Sequence, residues 1–271
     1  MEGDTTLKKQ KNDRESYLKA IKAKKILVFS LQISILVLFV LLWELLTYFE
    51  IADAFFFSSP SRILKLFTKM IRQDLISHVL ITLSECLIAF VISTTLGYFI
   101  AVILWWSDTL RKILEPYVIV LNSLPKIALG PLIIIWVGTG QKAIVTMGVL
   151  ICIIVTIISI LNGFISADKE KEFLLISMGA NKFQVFTKLI IPSAFPDFIS
   201  SMKVNIGLAW VGTIMGEYLV SGSGLGYLII YGGAVFNLDL VMMSTTILCL
   251  CATLMYFSVA LLEKKYKNFT K

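Results

Sequence analysis

KEFLLISMGANKFQVFTKLIIP, residues 171–192, is a polar-flanked segment between two long apolar runs, and the rest of the chain is arranged around it. Glu172 to Met178 has the length for about two helical turns. Gly179-Ala180-Asn181 then lets the backbone turn, because glycine enters positive φ at little steric cost. Lys182 to Ile191 is expected to form a second short helix, which Pro192 should stop or kink. The segment carries the cations Lys182 and Lys188 beside Phe183 and Phe186, read as exposed. A short helix-turn-helix of this kind, placed between membrane spans, suits a groove on a soluble partner.

The surrounding composition says what those apolar runs are. Of 271 residues, 57% are hydrophobic and 16% charged, and mean hydropathy is +0.85. Water-soluble domains average about 45–50% apolar and about 25% charged, so the chain is an all-α integral membrane protein. Several runs exceed the ~18 apolar residues that mark a spanning helix. The formal net charge of +7 gathers at the ends and in loops. That distribution fits membrane orientation, and no nucleic-acid surface is indicated. Cys86, Cys152, Cys249 and Cys251 all lie in apolar runs, and His78 is the only histidine. They read as packing residues, with no metal site and no directly bound cofactor.

In chain order, residues 1–25 form a basic cytoplasmic N-terminus carrying Lys8, Lys9, Lys11, Arg14, Lys19, Lys22, Lys24 and Lys25. A leading transmembrane helix at 26–49 is too long for a signal-peptide core. Its Glu44 reads as an interfacial or helix-paired carboxyl, with a polar function as the alternative. In the external stretch 50–74, Ser59 can cap a helix starting at Pro60. Ile63, Leu64, Phe67, Met70 and Ile71 then face one way, and Arg62, Lys65, Lys69 and Arg72 the other, which describes an interfacial amphipathic helix.

A five-helix core at 75–262 follows. The second span, about 75–106, holds Glu85, expected to face other helices because an isolated carboxyl at depth costs several kcal/mol. SDTLRKILEP (107–116) reads as a cytoplasmic turn. The third segment, about 117–137, is interrupted by Pro125 and Pro131, with Asn122 and Lys126 alongside. Broken helices at membrane depth are tolerated where they line a cavity, so this segment is a pathway candidate; the alternative is a kinked packing helix whose Lys126 snorkels. The fourth span is about 143–165, the cytoplasmic loop about 166–192, and the fifth span about 197–220. Asn205, Gly212, Gly216 and Glu217 of the fifth span join Asn122, Pro125, Lys126 and Pro131 as pathway candidates. Gly212 and Gly216 also form a small-xxx-small pair that lets two helices approach closely. The sixth span is about 240–262, and a basic cytoplasmic tail occupies 263–271. Asn268-Phe-Thr matches a glycosylation triplet on the wrong side of the membrane. Six spans with both termini cytoplasmic put the 166–192 loop inside the cell by Lys/Arg asymmetry alone.

The 171–192 segment resembles the EAA loop of ABC-importer permeases, in which a Gly is followed nine residues later by an Ile/Leu-x-Leu-Pro ending. Here nine residues separate Gly179 from Leu189-Ile190-Ile191-Pro192. The Glu-Ala-Ala that names the loop is replaced by Phe173-Leu174-Leu175, with Glu172 one place early. SSPSRIL, EPYVIVLNSLPKIALGPLIIIWVGTG and GEYLVSGSGLGYLI are similar to other segments of the nitrate/sulfonate/taurine-type permeases. The resemblance implies a type I importer permease fold. It implies that Glu172, Gly179, Ala180, Lys182, Phe183 and Pro192 couple to a cytoplasmic ATP-binding subunit in two copies. It further implies a second copy of this chain, an external solute-binding protein, and a cell-membrane location. ATP is then used by the partner subunit, and this chain is not itself an enzyme. The substrate would be a sulfonate-, nitrate- or taurine-like anion or a vitamin precursor. The rival reading is a stand-alone secondary transporter or channel, for which Glu85 is the only ion-coupling candidate.

Overall fold

A computed structural model describes the backbone of residues 2–269 and the side chains of residues 17 and 21–265. The side chains of Lys8, Lys9, Lys11, Arg14 and Lys19, and the triplet at Asn268, lie outside the described residues. All regular elements among the described residues are helical. The chain divides into two compact units, Met1–Lys65 and Leu66–Lys271.

In the first unit, α1 (Glu2–Tyr48) is a single helix of 47 residues, so the basic N-terminus and the leading span form one rod. A one-turn helix, α2 (Ala54–Phe57), is capped by Asp53, whose side chain accepts the Phe55 N–H at 2.8 Å. α3 (Pro60–Met70) begins where expected. Ser59 Oγ accepts the Arg62 N–H at 3.3 Å, and Glu44 of α1 accepts the Ser61 N–H at 3.0 Å. Glu44 is therefore a helix-pairing carboxyl: it satisfies a donor that a helix start leaves unpaired and sits at the positive end of the α3 dipole.

In the second unit, α4 (Leu75–Trp106) and α7 (Gln141–Ile165) match the second and fourth expected spans. Between them, α5 (Asp108–Ser123), a 3₁₀ turn (Lys126–Leu129) and α6 (Gly130–Val137) form an apolar helix pair bent by 86°. SDTLRKILEP is accordingly the capped start of α5, with Ser107 accepting the Leu110 N–H at 3.3 Å. The break falls at Leu124-Pro125, where proline drives the preceding residue to extended backbone, ψ 137°. Pro131 does not interrupt a helix; it occupies the first turn of α6, where its missing N–H costs nothing. Five helices are long and apolar enough to cross a membrane among the described residues, or six with the bent pair counted as one.

α7 is the central helix, with α4 and α10 (Ile191–Val220) running along it. Small residues permit the approach. A Cβ added to Gly212 would stand 2.5 Å from the Cα of Gly148, and one added to Gly216 would stand 2.8 Å from the Cα of Ile144. The Gly212/Gly216 pair thus seals an intrachain seam. α11 (Leu225–Ala234) and α12 (Leu238–Phe269) pack on each other beyond α10.

Pro192 also departs from expectation. Lys182–Val220 is one 39-residue helix, comprising α9 (Lys182–Val185), a π-helical turn (Phe186–Ile190) and α10. The wider π turn removes the clash that a proline ring makes with the carbonyl of the turn before it, so the helix passes through instead of stopping.

Candidate coupling surface and translocation face

The knob consists of α8 (Lys169–Ser177) and α9, and its shape is written locally. Asp168 caps α8, accepting the N–H groups of Glu170 at 3.0 Å and Lys171 at 3.3 Å. The Lys171 backbone N–H, and then its side chain, hold the Asp168 carboxyl below the usual carboxylate range. α8 ends with paired bonds from Ala180 N–H to Leu175 O and from Gly179 N–H to Ile176 O. Gly179 itself has φ +85°. This is the left-handed C-terminal cap that glycine favours. Asn181 and Gln184 then form a reciprocal capping box, both bonds at 2.8 Å, that starts α9 at Lys182.

Three predicted contact residues separate here. Phe183 is 63% exposed, alongside Phe173 at 73% and Met178 at 76%. Phe186 is not exposed: at 6% exposure it stacks against Trp105, with ring centroids 4.8 Å apart, and also meets Phe164 and Trp106. Lys182 is exposed but folds back onto α4. Its Nζ donates to Trp106 O at 2.6 Å and lies over the Trp105 and Trp106 rings. Together these two residues bolt the knob to the end of α4, whereas the first turns of the knob offer an apolar face. Glu172 and Ala180 are half-buried and Pro192 is exposed.

The pathway candidates scatter. Asn205 is fully buried, its Nδ2 donating to Thr156 Oγ1 at 2.6 Å, and Gly212 and Gly216 lie in the α7–α10 seam. These three hold helices together; helix 10 turns the opposite face outward. Glu217, 1% exposed, is a cap. It accepts the Thr82 hydroxyl at 2.6 Å and the Gly226 N–H at 2.5 Å. Thr82 in turn accepts the Leu225 N–H at 2.7 Å, and His78 Nδ1 accepts the Gly224 N–H at 2.9 Å. The donors at the start of α11, which has no side-chain cap of its own, are thereby satisfied. Glu85 is buried beside Glu217, facing the bundle as expected. Asn122, Pro125 and Pro131 are exposed, with Lys126 Nζ donating to Asn122 Oδ1 at 3.3 Å.

One polar region was missed from the sequence. Where α7 approaches the knob, a cleft of about 490 Å³ opens between α7 and α10. Its wall includes Ser159, Asn162 and Ser166 of α7 with Asp197, Ser200 and Ser201 of α10. The signal was present as polar residues at i, i+3 and i+7 of an apolar helix, and at i, i+3 and i+4 of its neighbour. Lys203, by contrast, is ion-paired with Glu263 of α12.

Residues 93–268 match the family described as binding-protein-dependent transport system inner membrane component. The chain belongs to that family. It is a multi-pass cell-membrane permease of the ABC-importer type, related to the sulfonate and taurine permeases. Among its relatives, the formylaminopyrimidine transport permease protein ThiX of Halalkalibacterium halodurans is 27% identical over 65% of this chain and 71% of its own. The taurine transport system permease protein TauC of Escherichia coli is 23% identical over 87% and 88%. The putative aliphatic sulfonates permease SsuC of Bacillus subtilis is 24% identical over 83% and 82%. The fold matches a chain of the inward-facing MetNI methionine ABC transporter with a TM-score of 0.64 at 18% identity, over 72% of this chain and 97% of that one. These findings favour the importer permease over a stand-alone transporter, and membership in the family implies ATPase and binding-protein partners and dimerisation in general.

Proposed function

We propose that two copies of this chain form the translocation path of an ATP-driven importer, with each α8–α9 knob seated in a cleft of one of two ATPase subunits. The observation that carries this reading is the exposed apolar face of Phe173, Met178 and Phe183 on a knob bolted to α4 by Lys182 and Phe186. An apolar surface beyond the spans marks a protein contact. A firmly anchored knob moves its span as a rigid body, which is how a displacement in a cleft becomes a change at the path. ATP contributes only through the differential affinity of the two states, and it is held by the partner.

In this reading both termini and the knob are cytoplasmic, and an external binding protein delivers the solute to the opposite end. The α7–α10 cleft and the bent α5–α6 span face the path. The solute is a small anion of the sulfonate, nitrate or taurine kind or a vitamin precursor such as a pyrimidine, as the named relatives suggest.

Gly179→Pro tests the coupling role. Proline cannot adopt the φ of +85° found there, so the α8–α9 turn is lost while the spans remain. The variant should reach the membrane in normal amount, and the assembled complex should lose substrate-stimulated ATP hydrolysis. Normal stimulation would remove the knob from this role. In energised cells, uptake should survive a proton uncoupler and stop on ATP depletion.

A further inference from the structure

The α7–α10 cleft has a chemical character of its own. Asn162, Asp197 and Ser200 are exposed on their helices at the level where both enter the bundle. Polar side chains at membrane depth face the bundle interior or a water-filled cavity, because lipid offers them no partners. Ser201 also borders the cleft, but it is 4% exposed and its hydroxyl oxygen is sealed from solvent, so it belongs to the packed floor.

The wall is rich in acceptors and carries one formal charge, the carboxylate of Asp197. No lysine or arginine contributes to it. The cation nearest in sequence on α10, Lys203, is held by Glu263. Lys126, on the bent α5–α6 pair, is no part of the wall. Carboxylate, hydroxyl and amide oxygens match N–H donors, and a lone carboxylate repels an anion.

We infer that this cleft is a station on the path that receives the amine end of the solute, through Asp197, Ser200 and the amide oxygen of Asn162, and that it discriminates against simple anions without an amine. The inference rests on the proposal that this face lines the path, and it narrows the solute to an amine-bearing molecule, either cationic, zwitterionic or a neutral heterocyclic amine.

The test uses Ser200→Cys in membranes holding the assembled transporter, with labelling followed by the mass of the peptide that contains residue 200. Two water-borne methanethiosulfonates are compared, one bearing trimethylammonium and one bearing sulfonate, each rate divided by that for a small thiol in solution. The cationic reagent should react about tenfold faster, and adding Asp197→Asn should bring the ratio near one. Methylammonium chloride should slow the labelling, and sodium methanesulfonate at equal ionic strength should not. Equal normalised rates with Asp197 present, or protection by methanesulfonate, would overturn the amine assignment while leaving the path in place. Failure of both water-borne reagents, whether or not a membrane-permeant maleimide labels the site, would put the cleft in lipid or in a protein contact. That outcome would overturn the path reading as well.

Discussion

The two ends of the bundle solve the same problem in opposite ways. Helices α8, α9 and α11 each begin with backbone N–H groups that have no intrahelical partner. At the knob, the acceptors come from within three residues: Asp168 for α8 and Asn181 for α9. At the far end, the acceptors for α11 include Thr82 and His78, more than 140 residues away in sequence, with Glu217 nine residues away. The knob therefore has a shape of its own, set before it meets anything else. The start of α11 has a shape only when α4 and α10 are already in place. A part that must be gripped by another protein benefits from the first arrangement, and a part that must report on the packing of several helices is built by the second.

Three measurements would break or sharpen that contrast. The largest effect is expected for Glu217→Ala. It strands the buried Gly226 N–H, worth about 1–3 kcal/mol when left unpaired, and leaves the Thr82 hydroxyl to donate only to His78 O at 3.2 Å. The detergent-solubilised protein should unfold at a clearly lower temperature, with the knob still folded; an unchanged Tm would show that the far end does not depend on long-range caps. Asn181→Ala should cost about 1 kcal/mol, confined to α9. Faster amide exchange at Lys182 to Val185, with little change in Tm, is the expected signature, and a global loss of stability would contradict local encoding. The smallest effect concerns acid. Asp168 is held below its ordinary pKa, so its contribution to α8 is present above the free-carboxylate value of about 3.9 and is lost as pH falls through the lower folded value. Protection of the α8 amides, relative to the intrinsic exchange rate at each pH, should fall in that acid window and stay flat at higher pH, and Asp168→Asn should abolish the change.

The same division explains what could be read from the chain alone. The ends of α4 and α7, the cap at Ser59, the break at Pro125 and the turn at Gly179 were all legible, because each depends on apolar length or on the chemistry of a few neighbouring residues. Pro192 misled because a helix stop is also a local rule, and a π turn ending two residues upstream overrides it. Phe186 read as a surface residue, and Lys182 as a free cation, until Trp105 and Trp106, some 80 positions earlier, were brought beside them; Phe186 is buried there, and Lys182 stays exposed but anchored. Asn205, Gly212 and Gly216 share a helix with Asp197 and Ser200, and composition does not say which of its faces meets α7. Only packing separates the seam from the cleft.

From its order of residues by itself, this protein is a helical membrane chain with a proline-broken third segment and a turned knob between its fourth and fifth spans. Periodicity, proline, glycine and capping side chains act over a turn or two of helix, so no distant contact is needed to express them. Tertiary structure alone decided which polar groups close the bundle and which open onto a cleft, and which aromatics anchor the knob and which face outward. Those choices are made by pairs of residues far apart in the chain, whose meeting follows from how α4, α7 and α10 fit together and is carried by no single stretch of sequence.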